Sequence, residues 1–194
     1  MNGTNVRGAG GAGGGFVKTT YTVVPGQTYR IYVGRGGTGN DTRKNGESSW
    51  FASDTSVLAV GGTGAGLFLT SGVGTGAVAL TTGNIGGTLI NTYGGNGADG
   101  FDDGTTKYSG GGGSSAGDVN ANNASGITGG TAPTNGYKGG DGRNSDNAGV
   151  NGGVGAGGSG AFRNTTTTLI SGGNGGNGQV KITYTSYCTK YFNT

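Results

Sequence analysis

The stretch Ser171-Gly-Gly-Asn-Gly-Gly-Asn-Gly-Gln-Val-Lys-Ile-Thr-Tyr184 combines two different repeats. In its first half glycine recurs at every third residue, at Gly172, Gly175 and Gly178. In its second half apolar residues recur at every second residue, at Val180, Ile182 and Tyr184. A three-residue glycine period is typical of an extended left-handed helix of the polyproline II type, and a two-residue apolar period is typical of a β-strand. The stretch therefore predicts a glycine helix that joins a strand, and we expect the rest of the chain to repeat this join.

The composition favours one folded domain. The chain has 194 residues, of which 52 are glycine, with 30% hydrophobic and 11% charged residues. We place a single glycine-rich domain at residues 1–185 and an aromatic tail at residues 186–194. Glycine-rich chains without a collagen repeat are often disordered, but disordered chains are usually poor in aromatic residues or highly charged. Nine tyrosines, six phenylalanines and a net charge of +3 argue against disorder here.

A conventional hydrophobic core cannot stabilise so much glycine, because glycine loses more backbone entropy on folding than any other residue. Polyproline II helices direct their N–H and C=O groups outward. With glycine facing a neighbour, such helices approach closely and hydrogen-bond sideways, which satisfies the buried main chain. We therefore expect polyglycine II packing to replace the apolar core.

Residues 16–33 predict a β-hairpin. Phe16 to Val24 alternates in side-chain character, and the returning strand has Tyr29, Ile31 and Val33 on one face. Between the strands, Val24-Pro25-Gly26-Gln27 fits a type II turn, since proline presets the first central residue and glycine accepts the positive φ of the second.

The remaining chain alternates glycine triplets with short strands and connectors. The triplets recur at Gly94, Gly97 and Gly100, at Gly136, Gly139 and Gly142, and at Gly149, Gly152, Gly155 and Gly158. Short strands are predicted from Ser48 to Phe51, from Ser56 to Val60 and from Arg163 to Ile170; polar connectors are predicted from Phe101 to Ser109 and from Ser114 to Ser125. Since no window has a capped helical period, the predicted fold class is all-β and non-regular: polyglycine II helices beside a small antiparallel sheet, with essentially no α-helix.

The side-chain inventory argues against an enzyme. The chain has no histidine, so a Ser–His–Asp or Cys–His arrangement is excluded, and a glycosidase that uses two carboxylates is the remaining catalytic alternative. The single cysteine, Cys188, cannot form an internal disulfide. The dilute positive charge predicts no nucleic-acid partner, and no apolar run is long enough to predict a membrane span. Met1 begins no signal segment, so we expect synthesis in the cytosol and release by lysis or a signal-independent route.

One segment offers a candidate calcium site. Gly94-Gly-Asn-Gly-Ala-Asp-Gly-Phe101 fits one copy of a calcium-binding glycine nonapeptide. Asp99, Asp102 and Asp103 supply oxygen ligands of the kind that calcium prefers. The alternative is a solvated acidic loop without a cofactor.

Several motifs together resemble the bacterial and phage glycine-rich modules. They are Tyr21-Thr-Val-Val-Pro-Gly-Gln-Thr-Tyr-Arg-Ile-Tyr-Val-Gly-Arg-Gly-Gly37, Asn45-Gly-Glu-Ser-Ser-Trp-Phe51, Leu58-Ala-Val-Gly-Gly-Thr-Gly-Ala-Gly66 and the closing Gly172 to Tyr184. Similar modules include the adhesins at the tips of T-even-like phage tail fibres and the glycine-rich domain of anaplastic lymphoma kinase. The resemblance implies stacked polyglycine II helices and, as in the phage adhesins, receptor contacts by the connecting loops. The matching loops here are Gly66 to Leu69, Phe101 to Tyr108 and Val119 to Ala124, with Leu67, Phe68, Leu69, Phe101 and Tyr108 as candidate receptor-binding residues.

The resulting expectation is a non-enzymatic adhesin or spike on a virion or another extracellular surface, which binds a host cell-surface protein or glycan. The alternative is a self-assembling subunit of an extracellular filament or coat, since edge strands with unpaired main-chain groups invite association. Self-association or attachment to a larger fibre would then involve the tail residues Tyr187, Tyr191 and Phe192. Ice binding is a third hypothesis, but it requires longer uninterrupted triplets than Gly149 to Gly158.

Overall fold

The structure is a computed structural model that describes residues 5–39, 45–65, 72–164 and 170–184. Across these ranges the fold is all-β and non-regular, with short strands, glycine-rich segments between them and no α-helix. The described ranges contain no helix that could cross a lipid bilayer. We call each glycine-rich segment between strands or turns a thread.

The strands are short and form four small sheets. Their bounds are β1 Val6–Arg7, β2 Phe16–Lys18, β3 Ile31–Tyr32, β4 Ser49–Phe51, β5 Val57–Ala59, β6 Gly72–Val73, β7 Ile90–Thr92, β8 Phe101–Asp102, β9 Lys107–Tyr108 and β10 Phe162–Arg163. The sheet orders are β10-β1-β6, β2-β7, β3-β4-β5 and β8-β9. All pairs are antiparallel except β1 with β6. The predicted single sheet is therefore distributed over the molecule.

The sheets lie at the two ends of the thread bundle. The thread at residues 8–15 runs from β1 at one end to β2 at the other, and the other threads run alongside it in both directions. One end holds β1, β6, β8, β9 and β10, and we call it the hairpin end. The opposite end holds β2, β3, β4, β5 and β7, and we call it the sheet end. Connections between threads are thus presented at two separate surfaces.

The central thread, residues 109–117, is buried along its whole length. Its main-chain N–H groups donate to three different neighbours in turn, at 2.8–3.2 Å. Gly110, Gly113 and Ala116 donate to Gly8, Gly11 and Gly14; Gly111 and Ser114 donate to Gly126 and Asn122; Gly112 and Ser115 donate to Gly140 and Tyr137. Successive residues donate to different neighbouring threads, and residues three apart donate to the same one. This three-residue period fits polyglycine II packing.

Neighbouring threads also donate to the central thread. Gly95 and Ala98 donate to the carbonyls of Ser114 and Gly111, and Gly157 and Gly160 donate to those of Gly113 and Gly110. The central thread thus has hydrogen-bonded neighbours on several sides. These neighbours supply the partners that its buried N–H and C=O groups need and that apolar side chains could not supply.

Glycine is required where the threads touch. A Cβ added to Gly110, Gly113 or Gly139 would overlap a carbonyl oxygen of the adjacent thread. Apart from Val6 and Phe162, the buried apolar residues in the described ranges are all alanines, so apolar burial there is small. Main-chain hydrogen bonds, each worth about 0.5–1.5 kcal/mol net, therefore take the place of large side chains in the interior.

Small polar side chains extend this hydrogen bonding. The Oγ atoms of the buried Ser109 and Ser115 accept the N–H groups of Arg143 and Tyr137, both at 2.8 Å. At the periphery, the Oδ1 atoms of Asn174 and Asn177 accept the N–H groups of Gly39 and Gly36, at 2.8 and 2.9 Å. Asparagine in the closing glycine run is therefore part of the scaffold.

Several predictions of local structure are confirmed. The predicted glycine triplets from Gly94 to Gly100 and from Gly136 to Gly142 lie in threads, and β4 and β5 fall within the predicted strands. The predicted run from Gly149 to Gly158 is wrong as one register, because a turn at residues 153–155 reverses the chain and Gly155 has a φ of 66°. The type II turn is present, with Gly26 at φ 81° and the N–H of Gln27 donating to Val24 O at 3.1 Å.

The predicted hairpin at residues 16–33 is wrong. β2 pairs with β7, and β3 pairs with β4. Aromatic pairs explain the choice of partner, because Tyr32 stacks on Trp50 at 5.7 Å and Tyr29 stacks on Phe51 at 5.8 Å. The turn at Pro25–Gly26 therefore forms, but the strands on its two sides do not pair with each other.

Four further predictions of local structure differ from the structure or are only partly described. The predicted connector from Phe101 to Ser109 contains the β8–β9 hairpin. The predicted connector from Ser114 to Ser125 begins in the central thread, because the serine hydroxyls accept buried N–H groups. Val180 to Tyr184 does not form a strand, since no described segment hydrogen-bonds to it. Of the strand predicted from Arg163 to Ile170, only Arg163 lies in β10, and residues 165–169 lie outside the described ranges.

The adjacent residues Gly175 and Gly176 differ in the space that each leaves for a side chain. A Cβ at Gly176 would overlap Gly153 O, whereas a Cβ at Gly175 would have its nearest neighbour at 3.4 Å. We expect Gly176→Ala to lower the free energy of unfolding by about 2–3 kcal/mol. Gly175→Ala should change it by no more than about 0.5 kcal/mol, because the restricted unfolded chain offsets any small strain. Urea denaturation measures both variants, and equal effects would contradict the proposed packing.

Candidate functional site

The most distinctive surface feature of the hairpin end is the β8–β9 hairpin. Phe101 lies opposite Tyr108, and Asp102 lies opposite Lys107. The two rings stack with centroids 5.2 Å apart and an interplanar angle of 17°. Phe101 is 39% exposed, so part of this aromatic pair faces solvent. Tyr108 also lies over Gly126, where an added Cβ would be 3.3 Å from the tyrosine hydroxyl.

The loop of the hairpin is held by its own carboxylates. Asp103 Oδ1 accepts the N–H groups of Thr106 and Thr105, at 2.6 and 2.9 Å. These hydrogen bonds, that from Thr106 first, lower the pKa of the Asp103 carboxyl below its ordinary value. Asp102 Oδ1 accepts the N–H of Gly104, whose φ of 90° favours glycine. The sequence thus encodes a fixed loop conformation.

A buried arginine anchors the base of the hairpin. Arg7 is 1% exposed, and its Nη2 lies 3.0 Å from Asp102 Oδ2 and 2.9 Å from Asn164 Oδ1. Its Nη1 donates to Arg163 O at 2.6 Å, and its guanidinium lies 4.2 Å from the Phe162 ring centroid. Arg7 therefore connects the hairpin to β10 through a planar fork that only arginine provides.

In the sequence, Arg7 is one of several dispersed cations. Its position next to Val6, immediately before the first glycine run, was the available signal of burial. The partner Asp102 is distant in sequence, so the ion pair could not be inferred from spacing.

An open polar groove adjoins the hairpin. Hydroxyl, amide, ammonium and carboxylate side chains line it together with one ring; the lining residues are Thr105, Thr106, Lys107, Asn144, Ser145, Asp146, Phe162 and Asn164. Asp146 Oδ1 accepts the N–H of Asn164, which ties the far wall to β10. The hairpin end thus combines an exposed aromatic pair with fixed hydrogen-bonding groups, an arrangement typical of binding sites.

The structure brings together only part of the predicted receptor-binding set. Phe101 and Tyr108 are in contact. Leu67, Phe68 and Leu69 lie outside the described residues, as do Tyr187, Tyr191 and Phe192 of the tail.

The third predicted loop, from Val119 to Ala124, does not join the hairpin. Val119 follows the central thread at the sheet end, opposite the hairpin. Asn120 and Asn123 accept the N–H groups of Tyr93 and Asn96, at 3.0 and 2.8 Å. Residues 120–124 are therefore part of the scaffold.

The candidate calcium ligands are not assembled into one site. Asp99 Oδ1 accepts the N–H of Gly76 at 2.6 Å, Asp102 pairs with Arg7, and Asp103 caps the hairpin loop. Within the described residues there is no group of three acidic, histidine or cysteine side chains that could hold a metal ion. Each carboxylate instead has a structural partner that the motif did not reveal.

Comparison with known families identifies the chain as a member of a glycine-rich domain family, whose model matches residues 1–185. The searches of curated proteins and of solved structures each found no match.

The Asp103 cap generates a pH-dependent prediction. Because its folded pKa is lowered, the cap contributes to loop order above the ordinary carboxyl pKa and is lost as the pH falls through the lower folded value. In an NMR titration, the amide shifts of Thr105 and Thr106 should move together at a pH below the ordinary carboxyl pKa. Asp103→Ala should abolish this transition, and a midpoint at or above the ordinary value would contradict the cap.

The Arg7 anchor generates a second prediction. Arg7→Lys keeps the charge but cannot reach Asp102, Asn164 and the Arg163 carbonyl at once, so we expect a loss of about 2 kcal/mol or more in unfolding free energy. Asp102→Asn should cost less, about 1 kcal/mol, because this side chain is partly exposed. Urea denaturation gives both values. A lysine variant as stable as the unmodified protein would show that the guanidinium fork is not needed.

Proposed function

We propose that this chain is a non-enzymatic recognition module on a virion or another extracellular surface, and that its hairpin end binds host-surface structures. The observation that carries the proposal is the exposed Phe101–Tyr108 pair beside the polar groove. Aromatic residues with one exposed face and a nearby polar group are enriched where proteins bind partners.

Preorganisation supports this role. The hairpin loop is fixed by Asp103, and the hairpin base is fixed by Arg7. Both rest on a scaffold whose buried threads are joined by main-chain hydrogen bonds. A rigid site loses little conformational entropy on binding, which preserves the affinity gained from its contacts.

The chemistry of the hairpin end favours a glycan over a host protein. A sugar ring offers an apolar face that packs on an aromatic ring, and its hydroxyls exchange hydrogen bonds with side chains such as Thr106, Asn144 and Asp146. A protein partner would require a larger apolar contact than the hairpin pair supplies.

The same carboxylates are poor candidates for catalysis. Asp102 is occupied by Arg7, and the lowered pKa of Asp103 keeps this carboxyl ionised near neutral pH. Neither is suited to act as a general acid, and the whole chain lacks histidine. These features support a binding role over a carboxylate glycosidase.

Membership in the glycine-rich domain family supports a module of this kind. The finer assignment, an adhesin similar to those at the tips of T-even-like phage tail fibres, rests on the order of turn, strands and glycine runs described above. In this assignment the hairpin end faces the host, and self-association or attachment to a larger fibre occurs elsewhere on the module.

Binding to whole cells of candidate hosts, and to glycans released from them, tests the proposal. We expect Phe101→Ala to weaken binding about tenfold or more, because exposed aromatic anchors dominate small interfaces. The matched control is Val119→Ala, an exposed apolar residue at the opposite end, which should leave binding unchanged.

Two results would count against the proposal: folded protein that binds no host cell, or binding that is equally insensitive to both substitutions. If protease treatment of the cells abolishes binding and released glycans do not bind, the receptor is a protein and the preference for a glycan is wrong. Circular dichroism verifies that each variant is folded.

A further inference from the structure

An exposed apolar cluster lies at the sheet end, around β3. Its members are at least partly open to solvent; they are Val23, Val24, Ile31, Val33, Ile182 and Tyr184, with exposed fractions of 55%, 58%, 51%, 46%, 52% and 83%. Contiguous exposed apolar side chains of this kind mark an interaction surface more often than a free one.

The open edge of β3 supplies main-chain groups to this surface. On its inner side β3 pairs with β4 in the register Ile31 with Phe51 and Tyr32 with Trp50, and Ala52 N donates to Arg30 O. In an antiparallel ladder alternate residues face the partner, so Ile31 and Val33 direct their N–H and C=O groups to the outer side. β3 is the terminal strand of its sheet.

A segment with strand character follows Gly178, whose N–H donates to Gly34 O just after β3, and it does not pair with a described strand. Residues 179–184 alternate apolar and polar side chains and are largely exposed, and their main chain makes no hydrogen bond within the described structure. A six-residue segment with strand propensity and unpaired main-chain groups needs a partner to form a strand.

The register of the chain explains why the segment does not pair with its own β3. Gly178 N donates to Gly34 O at 2.8 Å, which places residue 178 opposite residue 34. Continued in that register, Val180 would lie opposite Tyr32, and Lys181 would lie opposite Ile31. This puts the Lys181 charge on the apolar face that Ile31 shares with Phe51, away from Glu47.

A shift of one residue removes the mismatch. Ile182 then lies opposite Ile31, Val180 opposite Val33 and Tyr184 opposite Tyr29, next to the aromatic cluster of Tyr21, Tyr29 and Phe51. Lys181 falls opposite Tyr32, whose hydroxyl donates to Glu47 Oε2 at 2.5 Å, so the lysine meets a carboxylate. The apolar side chains of the segment then share the face of Ile31 and Phe51, and its charge lies on the face of Tyr32.

We propose that two copies of this chain form a dimer in which residues 179–184 of each copy add to the β3 edge of the other, in this shifted register. In a second copy Gly178 is bound to that copy's own Gly34, so this bond does not fix the register of its segment on the β3 edge of the first copy. The exchange is reciprocal and closes with twofold symmetry. It concerns how copies associate and does not depend on what the hairpin end recognises.

Disulfide trapping between separately produced chains tests the register. In a Cys188→Ser background, Tyr32→Cys protein is mixed with Lys181→Cys protein and oxidised. Residues 32 and 181 form a closely spaced non-hydrogen-bonded pair in the proposed ladder, so we expect a disulfide-linked dimer on non-reducing gels. The matched control pairs Tyr32→Cys with Ile182→Cys, whose side chain lies on the opposite face and should cross-link about tenfold less.

Two cross-linking results would overturn the inference. One is equal trapping in both mixtures. The other combines two observations: a chain that carries both Tyr32→Cys and Lys181→Cys forms an internal disulfide, and the mixture of single variants forms no linked dimer. Together these would show that the segment pairs within its own chain.

Sedimentation equilibrium of the unmodified chain provides an independent measurement. We expect a monomer–dimer equilibrium whose dissociation constant rises about tenfold or more in Ile182→Lys, because the charge would face the apolar side of the sheet. Thr183→Gln, which lies opposite Arg30 and adds no charge, is the control and should change it much less. A monomer at every concentration, or an open-ended filament, would contradict the reciprocal exchange.

Discussion

The lateral main-chain hydrogen bond between threads is the interaction on which this structure depends. The central thread donates in turn to three neighbours and accepts from others, so that its buried peptide groups are satisfied without a helix or a sheet. Such bonds form only if the threads approach closely, and added Cβ atoms at most thread contacts would overlap a neighbouring carbonyl. Glycine is therefore imposed by the hydrogen-bonding geometry, in spite of the backbone entropy that it loses on folding.

This mode of packing separates scaffold from surface. Added Cβ atoms leave little room for large side chains between threads, and the aromatic pairs and clusters among the described residues lie at the ends of the bundle. At the hairpin end the aromatic pair is flanked by polar groups and fixed from below by Arg7. At the sheet end the aromatic residues border an open strand edge and an unpaired segment. The proposed recognition surface and the proposed dimer contact therefore lie at opposite ends of the bundle.

The sequence predicted local structure well where the backbone conformation or a close contact accepts only one residue type. Glycine triplets predicted the threads, and Pro25-Gly26 predicted the turn, because these positions tolerate little else. Strand pairing was predicted less well. The partner of β3 is decided by aromatic contacts with Trp50 and Phe51, which local alternation does not encode.

Polar residues were the main source of error. Ser114 and Ser115 suggest a loop by composition, yet both are buried acceptors of main-chain N–H groups. Asp102 suggested a calcium ligand, yet it pairs with a buried arginine distant in sequence. Of the candidate site, the aromatic residues of the hairpin were predicted through family resemblance, whereas the anchor and the groove required the three-dimensional arrangement.

Native-state hydrogen exchange of the central thread tests the account most directly, since it reports the free energy needed to open each main-chain hydrogen bond. If lateral bonds hold the structure together, the amides of residues 110–116 in all three directions exchange only by global unfolding and are the slowest in the molecule. Exchange of these amides as fast as that of the exposed hairpin loop, or slow exchange confined to the short strands, would contradict it.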